Sequence, residues 1–178
     1  MSIVYLIIAG IFITAVHCYL VWRYRETKGY SISEYAVVTP RAHLIYVISH
    51  FTCDVLVLLF AYGFFIIEHN IPVLFGLFFV FAILDTAQAL IPSRGKTEKI
   101  HFAAAYISWS CYLLAGIIAL FLLTIATPYL WAAVICFVPV ISMFVYMHIN
   151  RARLYPYQLV MVPLYVLAMT FIAIGVGI

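Results

Sequence analysis

The sequence predicts an all-α membrane protein, a six-transmembrane-helix bundle with the N-terminus and C-terminus both non-cytoplasmic. Three observations predict it. The 178 residues are 68% hydrophobic and 8% charged, whereas a soluble domain carries roughly 25% charged residues. Six apolar runs come close to the roughly 20 residues that cross a bilayer. All nine lysines and arginines fall outside those runs, in three short segments that alternate with basic-free connections.

The runs follow in order. Residues 3–22 make the first. No basic residue precedes it and Arg23 follows it, so it reads as a retained span rather than a cleaved signal. The second is 44–67, after Pro40. The third, 73–91, lies between Pro72 and Pro92. The fourth is 100–126. The fifth, 129–147, follows Pro128, and the sixth, 157–178, follows Pro156. Proline at a span end costs little, because the N–H it lacks has no partner in the first turn. Pro139 and Pro163 fall inside spans and predict kinks. With no room for a soluble module, residues 1–178 read as one transmembrane domain.

Orientation comes from the charges. Connections one (23–43), three (92–99) and five (148–156) hold Arg23, Arg25, Lys28, Arg41, Arg94, Lys96, Lys99, Arg151 and Arg153. Connections two (68–70) and four (Thr127, Pro128) hold none. Cytoplasmic loops collect Lys and Arg, so the odd connections are expected in the cytoplasm, as in a multi-pass protein of an inner or plasma membrane. Connections two and four are so short that spans two and three, and spans four and five, should be antiparallel neighbours. The net charge of +3 points to lipid headgroups as partners and not to nucleic acid. Cys18, Cys53, Cys111 and Cys136 sit in apolar runs with no C-x-x-C and read as reduced packing residues.

Charged side chains inside spans are rare and usually face the bundle interior. This chain has two, Asp54 and Asp85. On span two, His43, Tyr46, His50 and Asp54 follow steps of three and four and form one polar stripe. Asp85 and Gln88 share a face of span three. His101, Ala105, Ser108 and Tyr112 share one on span four, and Gln158, Tyr165 and Met169 one on span six. At about 1.5 Å of rise per residue, His17, His50 and Asp85 each lie about 8–10 Å inside the cytoplasmic end of their span. His101 lies just below them and Asp54 deeper.

His50, Asp54, Asp85 and His101 are therefore the candidate catalytic or binding residues. Four chemistries are open to the cluster. The polar groups could be interhelical hydrogen bonds and nothing more. His17, His50, Asp54, Asp85 and His101 could supply metal ligands, although no H-x-x-x-H, H-E-x-x-H or cysteine set is present. His17 and His50 could be the two axial ligands of a haem. The cluster could also line a polar cavity that relays protons or binds a headgroup. No cofactor is predicted from a motif. No lysine lies in a span, which excludes a Schiff-base chromophore. No G-x-S-x-G elbow, phosphate loop or dinucleotide fingerprint is present.

Connection three, 92–99, is basic and contains Gly95, with Thr97 placed to cap span four. Arg94, Lys96 and Lys99 are candidates for holding a lipid phosphate, with Tyr46 and Gln88 as ligand candidates inside the membrane. Connection one is the longest, which makes it a candidate lid or interfacial segment.

Tyr30, Ser31, Ser33 and Tyr35 precede span two. Pro92 ends span three, and Ile100-His101 runs into Ala103, Ala104 and Ala105. In this order and spacing the chain resembles a family of small six-helix integral membrane proteins with no established function, distantly DRAM-like in pattern. The resemblance covers nearly the whole chain. It implies the six-helix fold and marks His101 as a position of interest, without a catalytic assignment. Ser93-Arg94 departs from it, where the family pattern has an acidic residue after the proline.

Three functions fit these residues. One is a membrane protein that handles a small-molecule or lipid-like ligand through a polar cavity near the cytoplasmic face. The second is an intramembrane enzyme using the His/Asp cluster as metal ligands or as acid and base. The third is a structural or assembly subunit, as a homo-oligomer or within a membrane complex.

Overall fold

The computed structural model describes residues 2–27, 29–149 and 154–176. Lys28, Arg151 and Arg153, three of the nine basic residues, lie outside them. The helices are α1 (Ile3–Arg23), α2 (Ile32–Ala36), α3 (Pro40–Ala61), α4 (Pro72–Leu90), α5 (Glu98–Leu122), α6 (Thr127–Ile149) and α7 (Tyr155–Val176). No strand occurs among the described residues. All but α2 are long and apolar enough to cross a membrane.

Three boundaries differ from the sequence reading. The second span begins at Pro40 rather than 44, because Thr39 Oγ1 accepts the Ala42 N–H at 3.0 Å and caps the helix there. Removing that acceptor in Thr39→Ala should destabilise the protein by about 1 kcal/mol, read as a fall of roughly 2–4 °C in a thermal melt in detergent. A melt within 1 °C of the parent would show that water or Tyr24 replaces the cap. The same span ends in a π-helical stretch, Tyr62–Glu68, for which the sequence carries no signal. A tight turn follows: Ile71 N–H donates to Phe65 O at 2.6 Å, and Asn70 takes the left-handed φ of +54° that asparagine tolerates. The fourth span stops at Leu122, and residues 123–126 rather than Thr127 and Pro128 form the connection. Thr127 and Pro128 open α6, where proline is well suited to the first helical turn.

Helices α1, α3, α4 and α5 pack in sequence around a closed ring, and α6 packs on α7, which returns to α1. The ring has one loose joint. The backbone of α5 comes near α7 at few points and scarcely approaches α6. Spans four and five are thus neighbours through their side chains only, a looser relation than their short connection predicted. Pro139 and Pro163 lie within α6 and α7.

One end of the bundle carries Arg23, Arg25, Arg41, Arg94, Lys96 and Lys99 and is the basic end. At the other end Ser2 Oγ donates to Glu68 Oε1 at 3.1 Å, and Ala126 N–H donates to Gly175 O at 3.0 Å. Both ends of the described chain therefore lie beside connections two and four.

The first connection is not a surface loop. Its helix α2 buries Ile32, Ser33, Tyr35 and Ala36 inside the basic end. Ile32 N–H donates to Gln158 Oε1 at 3.0 Å, Tyr155 N–H to Tyr30 O at 3.1 Å, and Tyr30 N–H to Glu34 Oε2 at 2.8 Å. The first two bonds tie it to the start of α7, and the third is internal to it. Cys18, Cys53, Cys111 and Cys136 are all free thiols.

Candidate functional site

A cavity of about 110 Å³ runs inside the ring, and all six long helices line it. At its basic end it meets His17 of α1, Tyr46 and His50 of α3, Asp85 and Gln88 of α4, His101 of α5 and Gln158 of α7. Toward the opposite end its walls are Leu6 and Ala9 of α1, Val57 of α3 and Tyr112 of α5. The steps of three and four read from the sequence do put these polar groups on inward faces. His43 is the exception on its stripe and does not line the cavity.

The polar end is a connected chain of bonds. His50 Nδ1 lies 2.5 Å from Asp85 Oδ2. An ionised carboxylate only accepts, so we assign the proton to Nδ1. His50 Nε2 then faces His17 Nε2 at 3.3 Å, a distance at which one ring donates to the other. Asp85 fixes the tautomer and orientation of His50, and His50 in turn positions His17. Gln88 Nε2 donates to Tyr46 Oη at 3.2 Å and to Asp85 Oδ1 at 3.4 Å. The Tyr46 ring packs on His50, with centroids 4.2 Å apart. Both Asp85 oxygens are thus satisfied, which offsets the cost of burying a carboxylate.

Asp54 and His101 play separate parts. Asp54, one turn beyond His50 on α3, accepts the Thr86 hydroxyl at Oδ2 at 2.6 Å, beside Asp85. His101 Nδ1 lies 2.8 Å from both Gln88 O and Ile91 O. Two carbonyls can only accept, so Nδ1 carries the proton and caps the last turn of α4. In the neutral ring Nε2 keeps its lone pair.

Arg94, Lys96 and Lys99 are exposed and do not line the cavity. The sequence grouped them with Tyr46 and Gln88 as ligand candidates; the fold separates the two groups. Thr97 does not cap α5 by its side chain. Its hydroxyl is 2.7 Å from Pro92 O and 2.8 Å from Arg94 O, closing the loop on itself.

Among the described residues no three His, Cys, Asp or Glu side chains converge as a metal ligand set. His17 and His50 touch directly through Nε2, which leaves no gap for a macrocycle between them.

In the aromatic stack at the far side of the cavity, the sequence placed Tyr112 and Tyr165 on shared faces of their spans but did not mark Phe81. Phe81, Tyr112 and Tyr165 stack across the bundle, with centroids 4.2 Å and 3.8 Å apart. Tyr165 Oη donates to Tyr112 O at 2.6 Å. Nor did it mark Tyr106, Trp109 and Phe144, which form the cavity wall at the loose joint.

Comparison with family models, with curated proteins and with solved structures finds no match to this chain.

Proposed function

We propose that this protein is a multi-pass membrane protein that binds a small lipid-like ligand in its internal cavity, polar part against the His50–Asp85 pair and apolar part toward Tyr112. Its basic end faces the cytoplasm of an inner or plasma membrane, following the charge asymmetry of the loops. The observation that carries the reading is the division of the cavity. Its polar groups are gathered at one end and its apolar walls at the other, in one continuous space. A purely structural set of hydrogen bonds has no need of such a space, since lipid-protein interiors are otherwise close-packed. A volume of about 110 Å³ compares with the roughly 150 Å³ cavity that takes up benzene in a soluble protein.

A second reading has one observation in its favour. A carboxylate holding a histidine by Nδ1, with Nε2 facing another group, is the arrangement of a general base. Here Nε2 faces His17 rather than a hydroxyl or thiol, so the pair is set to pass a proton and has no nucleophile beside it.

The test is native mass spectrometry of the protein purified in mild detergent. One bound amphiphile per chain is expected. Val57→Phe, which fills the apolar end, and Gln88→Leu, which blinds the polar end, should each reduce its occupancy at least fivefold. Equal occupancy in all three proteins would place the lipid on the outer surface and end the proposal. A bare protein with unchanged melting in both variants would favour the structural reading.

A further inference from the structure

We propose that the occupant is a short single-chain amphiphile whose head carries no negative charge, taken in sideways from the bilayer between α5 and the α6–α7 pair. This rests on the binding reading above.

The route follows from where the cavity wall is thin. Every lining residue on α1, α2, α3 and α4 is buried. The half-exposed ones are all on α5, α6 and α7: Phe102, Ala105, Tyr106, Trp109, Phe144, Gln158, Val162 and Val166, of which the first five flank the joint. This is also the joint at which backbones scarcely approach. It is pinned at two heights. Near the middle of α5, Tyr165 Oη bonds Tyr112 O and Phe137 packs into the space over Gly116. Toward the basic end, Tyr106 Oη reaches Met147 O at a long 3.4 Å. Between the pins the lining side chains at the joint are Trp109 and Phe144, with Ala105 just beyond the Tyr106 pin. The other exit, through the basic end, is filled by α2, whose Ile32 and Ser33 form part of the lining.

The occupant follows from shape and charge. Along α1 the cavity extends from Leu6 to His17, about 16 Å of helix. Spread over that length, about 110 Å³ leaves room for one short chain and not two. Among the described residues no lysine or arginine lines it, whereas Asp54 and Asp85 do. A carboxylate or phosphate head would lose its hydration there and face two aspartates rather than a basic side chain. A hydroxyl or amide head meets what is there: Asp85, Tyr46 Oη, the Gln88 amide and His101 Nε2.

The experiment uses the full chain in phosphatidylcholine nanodiscs, with octanol carrying a diazirine as probe. Irradiation followed by peptide mapping should place label on cavity residues of α3 and α5. Unlabelled octanol should compete at least tenfold better than octanoate or octyl phosphate. Equal or better competition by either anionic head would overturn the assignment of the head. The route is read from exchange of bound probe. Ala105→Trp should slow it at least fivefold, and Tyr106→Ala should quicken it; the second variant decides should the first fail to fold. Glu34→Ala, which loosens the segment at the basic end, should leave it unchanged. Faster exchange in Glu34→Ala with none in Tyr106→Ala would move the route to α2 and overturn the lateral passage, while leaving the binding reading intact. No cavity label with the probe in any protein would overturn that reading and the inference with it.

Discussion

Replacing Asp85 with alanine is expected to lower the melting temperature of the detergent-solubilised protein by about 10 °C. The expectation starts from the number of groups that lose a partner. His50 Nδ1, 2.5 Å from Asp85 Oδ2, and Gln88 Nε2, 3.4 Å from Oδ1, both end on this carboxylate, and all three residues are buried. Removing a buried acceptor leaves each of its donors unsatisfied, at a cost of about 1–3 kcal/mol apiece. Domains of this size lose roughly 2–4 °C per kcal/mol. Asp85→Asn should cost less, because its carbonyl oxygen still accepts from His50, although its amide nitrogen opposes that of Gln88. Asp54→Ala should also cost less. It takes the Thr86 hydroxyl, and a helical threonine can turn back to a carbonyl of its own helix; its other neighbour across the helices is the like carboxyl of Asp85, which loses no donor. The order of the three melts is the result to check. Asp85→Ala no worse than Asp54→Ala would mean that the His50–Asp85 contact does not hold α3 to α4.

How much of this was legible in the sequence follows from what a bilayer imposes. Six long helices were legible because a span must be apolar for its whole length, and because the loops between spans keep their charges. The His50–Asp85 end was legible for the same reason in reverse. Charged and histidine side chains in an apolar run stand out, and steps of three and four give their face. The apolar wall was not legible. A lipid-facing side chain and a core side chain are both apolar, so Phe81, Trp109 and Phe144 look like their exposed neighbours Phe79, Ile107 and Val145. The loose joint was hidden too. A short connection requires α5 and α6 to be adjacent, but the size of Phe137, Phe144 and Tyr106 decides how far apart they stand. Helix α2 was missed because its burial depends on Gln158, 126 positions away, and a five-residue helix has no periodicity to read.

Gly116→Ala should destabilise the protein by about 2–3 kcal/mol, a large effect for one methyl group. The added Cβ would lie 2.8 Å from Phe137 Cε1 and 3.2 Å from Tyr165 Oη, with Phe137 Cζ closer still. Neither neighbour can yield cheaply. Phe137 is buried edge-on against Tyr165, with centroids 5.4 Å apart, and Tyr165 is fixed by its bond to Tyr112 O. The ring must push α6 outward, at the pin that closes the joint with α5. Gly76 provides the contrast: it lies exposed on α4 and a Cβ there meets nothing within 4 Å. Gly76→Ala should therefore be neutral or slightly stabilising, since alanine is the better helix former. The decisive variant is the pair Gly116→Ala with Phe137→Leu. A shorter side chain at 137 makes room for the methyl group, so the double variant should be more stable than the sum of the two single losses by at least 1 kcal/mol, as expected for residues in contact. Strictly additive losses would mean that Phe137 does not rest on Gly116, and the joint would then have to be held by Tyr165 alone.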